Sequence, residues 1–251
     1  LVADALGVRQ ADLRTESHNV EHHVAHVASA FFCSPFERAT GISVDGAGDF
    51  ATSLVAQCQG TRLEVSHRSF WPHSLGIYYP AVSQFIGFDR FGEEYKVMGL
   101  SAYGVNRFVR RLREVVRFDR RHGIRLSLEY FRHHLAGTSF ELFDDDEVHV
   151  PTLYSERLGA LLGMSPRDRS AALSDAHRDL AASMQTRFEE VYLDFVEDAV
   201  RRGECADAVF AGGSALNSVG NGRVLTEGVV RRAYYHPAAS DDGTAAGAAL
   251  Y

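Results

Sequence analysis

The sequence is almost without lysine. Of its 26 basic residues only Lys96 is a lysine; the rest are arginines. That bias suggests a GC-rich coding background, and a lone lysine kept against it suggests a point charge that arginine does not replace. Lys96 is therefore a candidate for neutralising a phosphate or carboxylate, with Glu93 or Glu94 as the plainer partner. Cysteine is also scarce. Cys33, Cys58 and Cys205 are too few and too far apart for a disulfide framework, and they read as the reduced thiols of a cytoplasmic protein. No apolar run reaches the ~18 residues a membrane span needs, and no signal-peptide pattern is read. A net charge of −7 argues against a general nucleic-acid binder. Neither a Walker A loop nor a G-x-G-x-x-G fingerprint occurs.

What is present is enough apolar residue, 45% of 251, for one large domain or two small lobes. In "VEHHVAHVASAFF" (20–32), Val20, Val24, Val27 and Phe31 share one helical face. Asn19 is the expected N-cap and Ser17 the alternative. His22 and His26 are four apart and stack together on roughly the opposite face, with His23 between the faces. Two imidazoles at that spacing suit a metal, as in zinc proteases. The protease's glutamate base is missing, however, and the plain alternative is a pair of solvated histidines.

Along the chain, Ile42 to Val44 reads as a strand running into a glycine turn that carries Asp45. Two strand-like runs around Gly60 read as a hairpin. A strand ending in Asp-Gly before a hairpin is a known opening of a ribonuclease-H-like lobe. Residues 74–88 read as an apolar helix ended by Gly87, and 91–104 as loop. "NRFVRRLREVVRF" reads as an Arg-rich helix whose arginines either steer an anion or form a solvated face. The acids Asp144 to Glu147 read as a solvated loop. Ser165-Pro166 opens a long helical region, with a strong helix over 174–203 stopped by Gly203. Strands follow in "DAVFAGG" and "VVRRAYYHP", and a small-residue helix closes the chain. The organisation expected is 1–104, the remainder of a first lobe; 105–165, a variable insertion; and 166–251, a second α/β lobe. The opening residues read as the tail of a helix plus a loop, as in a fragment of a longer protein.

Three glycine-bearing turns follow predicted strands: 45–49, 211–217 and 240–247. Glycine lets backbone amides approach a phosphate, so Gly46, Gly48, Gly212, Gly213 and Gly243 are candidate nucleotide-binding positions, or ordinary loop residues. Asp45 and Asp241 sit at these turns, one per expected lobe, and either could complete the His22/His26 set. Asp49 and Asp242 compete with them. Two histidines with carboxylates suit iron, manganese or zinc. Such an ion could hold phosphate oxygens and polarise a carbonyl. Asn217 is either a nucleotide ligand or a helix cap. His18, His23, His67 and His73 read as surface or packing histidines, and Cys33 as a marginal thiol ligand.

Taken in order, "EHHVAHVASAFF", "VDGAGDFATS", "SLGIYYPAVSQFIGF", "EYKVMGLSAYG", "LAASMQTRFEE", "FAGGSALNSVGNGRVL" and "DDGTAAGAAL" resemble the O-carbamoyltransferases of nodulation-factor and antibiotic biosynthesis, from about residue 17 to 251. The resemblance implies an actin-like ATPase fold, shared with the tRNA threonylcarbamoyl-transfer enzyme. It also implies a cleft metal, typically Fe(2+), held at positions matching His22, His26, Asp45 and Asp241. The implied reaction passes a carbamoyl group from carbamoyl-adenylate to a hydroxyl of a small-molecule acceptor. The adenylate is made from ATP and carbamoyl phosphate in a separate C-terminal domain. The family's N-terminal strands and that C-terminal domain are absent from this sequence, so a first lobe short of strands is expected. A second copy of the chain is allowed as a partner; nucleic acid and membrane are not expected. A sugar or acyl kinase of the same superfold, and a non-catalytic nucleotide-binding module, are the alternative readings.

Overall fold

The structure, a computed structural model, describes residues 2–5, 7–9, 12, 16–136, 141–142 and 148–251. The acids at 144–147 lie outside the described residues. After a helical turn, α1 (Val2–Ala5), come α2 (His22–Phe32) and three long strands, β1 (Arg38–Gly48), β2 (Ala51–Gln59) and β3 (Arg62–Phe70). Then follow α3 (Leu75–Phe85), α4 (Glu94–Leu100), α5 (Val109–Val115) and the hairpin β4 (Val116–Asp119) and β5 (Gly123–Leu126). Next are α6 (His133–Ala136), the short pair β6 (Glu141–Leu142) and β7 (Val148–His149), α7 (Glu156–Leu162) and α8 (Asp175–Gly203). The chain ends with β8 (Asp207–Ala211), α9 (Ser218–Thr226), β9 (Arg232–Tyr235) and α10 (Thr244–Leu250). No helix among the described residues is long and apolar enough to cross a membrane.

One five-stranded sheet, in the order β3-β2-β1-β8-β9, organises these elements. β1, β2 and β3 are antiparallel neighbours, whereas β8 runs parallel to β1 and β9 parallel to β8. Segments 1–104 and 166–251, assigned to separate lobes from the sequence, therefore meet in this sheet. Parallel pairing of β1 with β8 requires a long crossover, and the intervening helices supply it.

The period of two along β1 separates a structural face from a functional one. Ile42 and Val44 enter the larger core, with Phe210 of β8 and Leu180, Met184, Phe188, Val191, Phe195 and Val196 of α8. Gly41, Ser43 and Asp45 point the other way, towards α2. There Val24, Val27, Ala30 and Phe31 pack on Ala39, Leu54, Ala56, Cys58, Val209 and Ala211. A Cβ at Gly41 would lie 2.4 Å from Val27 Cγ1, so glycine lets the helix settle onto the strand.

Four expectations need correction. The N-cap of α2 is Glu21, not Asn19 or Ser17, and no side chain of its own caps it. Residues 91–104 are not mostly loop: α4 and a 3-10 turn over Ser101–Tyr103 fill them. Helix formation after Pro166 waits until Asp175, where Ser174 and His177 form a reciprocal capping box. Gly203 is the last helical residue but not the left-handed cap, which falls on Glu204 (φ 52°). Gly203 lies so near Thr40 that a Cβ would meet Oγ1 at 2.1 Å.

Candidate metal centre

The histidine face of α2 is not solvated. His23 through Phe31 are all buried, because α10 covers the side of α2 that the sheet does not. Gly247 permits this approach: a Cβ there would fall 1.8 Å from the carbonyl oxygen of Ala25. The first turn of α2 is anchored from outside. Asp49 and Phe50 both take left-handed backbone angles (φ 49° and 63°), the geometry of a tight two-residue hairpin turn. This aims Asp49 Oδ2 at the His22 N–H, 2.8 Å away. An aspartate on the β1–β2 turn thus satisfies one of the free amides of a helix N-terminus.

At the end of β1, Asp45 Oδ2 lies 3.2 Å from His22 Nε2 and 3.1 Å from His26 Nε2, and the two Nε2 atoms are 3.1 Å apart. Asp241, in the 3-10 turn that leads into α10, brings Oδ1 to 3.5 Å from His22 Nε2 and 3.4 Å from His26 Nε2. One donor atom from each of these four residues falls within 4.8 Å of every other. Exposure rises across the set. The His26 side chain is 0% exposed, Asp45 15%, His22 22% and Asp241 72%, so the cluster opens to solvent on the Asp241 side.

The support around Asp45 is dense. Its Oδ1 accepts the Gly213 N–H at 3.0 Å, and its carbonyl accepts the Ser74 hydroxyl at 2.8 Å, while Ser74 Oγ in turn caps α3 by accepting the Ile77 N–H. Gly48 makes room for the imidazole: a Cβ there would lie 2.0 Å from His22 Cδ2. Burial works to raise the pKa of Asp45, but hydrogen bonds from His22 and His26 win and hold it well below the usual carboxylate range. The same bond to Asp45 raises His22 above an ordinary histidine, against burial. His26 Nδ1 is buried without a hydrogen-bond partner, so Nε2 is its one polar contact point. Two imidazole nitrogens and a carboxylate oxygen at mutual distances near 3 Å repel one another unless protons or a cation sit between them. Nitrogen and oxygen donors of this kind suit a borderline divalent metal, and the residues fit one.

Other candidate positions lie elsewhere or do other work. Lys96 does not join the cluster; its Nζ is 2.7 Å from Glu93 Oε1, and Arg169 holds the same carboxylate. Asn217 is the N-cap of α9, accepting from Gly220 N–H at 2.9 Å and exchanging hydrogen bonds with the buried Gln185. Gly212 (φ 87°) lies against the Val44 carbonyl, Gly243 against the Ala238 carbonyl, and Gly46 faces open space. Cys33 is exposed and outside the cluster, as is Asp242. His23 turns inward to Ser43 Oγ at 2.8 Å, and burial lowers its pKa to about 4. Ser74, Gly76 (whose Cβ would lie 2.5 Å from the Asp45 carbonyl carbon) and Gly247 were invisible as site residues. Each acts through a long-range backbone approach that no local pattern announces.

A family model described as the carbamoyltransferase N-terminus matches residues 1–250. The chain belongs to this family. Among curated relatives of this chain, an uncharacterized protein of Synechocystis is 35% identical over 92% of the chain and 35% of its own length. Nodulation protein NolNO of Sinorhizobium fredii is 32% identical over 92% of the chain and 30% of its own length. Nodulation protein NolO of Bradyrhizobium diazoefficiens is 32% identical over 92% and 38%. The chain thus spans about a third of the length of these relatives.

Proposed function

We propose that this chain carries the metal-binding cleft of an O-carbamoyltransferase of the actin-like ATPase superfold. In this reading a divalent metal, iron(II) first among them, is held by His22, His26, Asp45 and Asp241. The convergence of those four donor atoms within 4.8 Å is the observation that supports it most, and family membership supports carbamoyl transfer as the general chemistry. The order β3-β2-β1-β8-β9, three antiparallel strands continued by two parallel ones, is compatible with a ribonuclease-H-like lobe.

When bound, the metal supplies a Lewis acid beside the carbamoyl carbonyl. The chain's own residues set the conditions. Asp45 stays ionised at neutral pH, so it contributes charge and does not serve as a proton donor. Gly213 and Ser74 fix its orientation, as outer partners of metal ligands do. Asp241, the most exposed of the four, faces the side from which carbamoyl-adenylate and the acceptor arrive. The acceptor is a hydroxylated natural product, on the antibiotic or nodulation-factor pattern. Its hydroxyl oxygen bonds to the carbamoyl carbon, its proton is lost, and AMP leaves. In this reading ATP and carbamoyl phosphate are used by a separate adenylate-forming domain, in the cytoplasm.

The test is a His22→Ala/His26→Ala variant of the whole protein. Metal content is read by elemental analysis and product by mass spectrometry, with ATP, carbamoyl phosphate and a panel of hydroxylated acceptors. Both bound metal and carbamate ester should fall at least ~100-fold. Retained carbamate formation would reject the metal role; a phosphorylated acceptor in place of the carbamate ester, formed by parent and variant alike, would favour a kinase, which needs no histidine pair.

A further inference from the structure

The hairpin β4–β5 carries a charge arrangement that the metal cluster does not use. Arg117 and Arg125 are direct cross-strand partners, so both side chains leave the same face of the hairpin, with Cβ atoms ~5 Å apart. Arg117 is exposed and Arg125 half-buried. Among the described residues, neither guanidinium has an acidic partner or donates a hydrogen bond. Neighbouring arginines behave differently: Arg113 pairs with Glu190, Arg157 with Glu129 and Arg202 with Asp198. Nearby Asp119 is already engaged, by the backbone and ring of His122. Like charges set directly opposite destabilise a hairpin, and partial burial of one of them adds to the cost.

His73 completes the arrangement. Its Nδ1 accepts the Leu126 N–H at 3.2 Å, one residue beyond Arg125. A ring nitrogen that accepts carries no proton, so the imidazole is neutral with its proton on Nε2, and Nε2–H is a donor. Burial first, then the charges of Arg125, His133 and Arg117, lower its pKa to about 4, consistent with that state. The loop is held firmly: His133 Nε2 lies 2.8 Å from the Pro72 carbonyl oxygen, and its ring meets Trp71 edge-on at 4.9 Å. Two guanidiniums from one face of the hairpin and an imidazole N–H beside Leu126 thus lie in one neighbourhood, with no acidic partner for either guanidinium among the described residues.

We propose that Arg117, Arg125 and His73 form a binding site for the phosphoryl group of a small molecule. Two forks from opposite strands and a third donor from a separate loop supply donors on three side chains. That matches the oxygens of a tetrahedral phosphate better than a planar carboxylate, which one guanidinium satisfies alone. The site shares its loop with the metal cluster, since Ser74, next in sequence to His73, holds the Asp45 carbonyl. It needs no metal and stands independently of the carbamoyl-transfer reading.

Calorimetric titration of the metal-free full chain with inorganic phosphate, AMP and acetate tests this. Phosphate should bind saturably, an Arg117→Thr/Arg125→Thr variant should bind it at least ~10-fold more weakly, and Arg113→Gln should bind it as the parent does. Acetate should not compete. AMP binding tighter than phosphate, and weakened by the same variant, would identify the phosphoryl group as a nucleotide's; phosphate binding at least as tightly as AMP would identify a free phosphate compound. Without ligand, Arg117→Thr should melt no lower than the parent, because one of two opposed charges is gone; this separates lost binding from lost folding. Absence of saturable phosphate or AMP binding to the parent, undiminished binding in the double variant, or equal competition by acetate would each overturn the proposal.

Discussion

Two aspartates, Asp45 half-buried and Asp207 buried, stand at opposite ends of the same pair of strands. Asp45 lies past the C-terminal end of the β1–β8 pairing and Asp207 at its N-terminal start. About six residues of strand separate them, roughly 20 Å at ~3.3 Å per residue. Both carboxylates are held below the usual range, but by different chemistry. Asp207 takes bidentate hydrogen bonds from Arg231, at 2.8 and 2.6 Å, and a third from Arg232 at 2.5 Å. Guanidiniums never give up their charge and offer no lone pair, so that end of the sheet is a fixed ion pair. Asp45 instead faces two imidazoles, which exchange protons near neutral pH and can offer lone pairs to a cation. An acid with permanent partners ties the strand ends together; an acid with convertible partners can be emptied of protons and filled with metal.

Exchanging each carboxylate for its amide should separate the two roles. Asp45→Asn keeps the shape and an acceptor for the Gly213 N–H but removes the charge from the cluster. Metal affinity should fall by at least ~100-fold, about 2.7 kcal/mol, with a melting temperature close to that of the metal-free parent. Parent-like affinity in a metal titration would remove Asp45 from the ligand set. Asp207→Asn should do the reverse. The loss of charged hydrogen bonds to a carboxylate that is 3% exposed should cost on the order of 2 kcal/mol of stability in denaturant melts. Metal binding should stay within twofold of the parent. If Asp207→Asn instead lost metal, the two ends of the sheet would be coupled, and the contrast between them would fail.

What could be read in the sequence follows the range of the interactions involved. The hairpin around Gly60, the apolar stripe of α8 and the valine face of α2 are local periodicities, and they appear with nearly the expected bounds. α4 escaped because it is seven residues long, begins beside Gly92 and buries only Val97 fully. The four cluster residues were visible as types in suggestive places, a helix pair and two turn acids; the resemblance, not the spacing, made them one set. Their convergence depends on Gly48, Ser74, Gly213 and Gly247, which act through contacts 26 to 222 residues away in sequence that no window contains. At Lys96 the plainer of the two readings is the one seen. Its ammonium is an ion-pair partner of Glu93, a carboxylate drawn down to about 2 chiefly by Arg169.

The smallest expected effect is also the most direct reading of the difference between imidazole and guanidinium. His22 must lose its proton to bind a metal, and its pKa is raised, chiefly by the hydrogen bond to Asp45. Below that raised value, affinity should fall by up to ~tenfold per pH unit, as one proton is displaced for each ion bound; above it, affinity should level off. Stability of the metal-free protein should slope the other way. A group whose pKa is higher folded than unfolded contributes fully below the unfolded value, ~6.5, and that contribution is lost as pH rises through the folded value. Metal-free protein should therefore lose stability from this group between about pH 6.5 and the raised pKa, while metal-loaded protein gains it. Asp45 adds nothing in that window, because it is already ionised on both sides, and the Asp207 cluster adds nothing because its partners do not titrate there. Calorimetric titrations in buffers of different ionisation enthalpy would count the released proton, and melts with and without metal would show whether the two slopes cross. Affinity that does not change between pH 6 and 8 would mean that His22 is not a ligand, leaving His26 as the one convertible partner of Asp45.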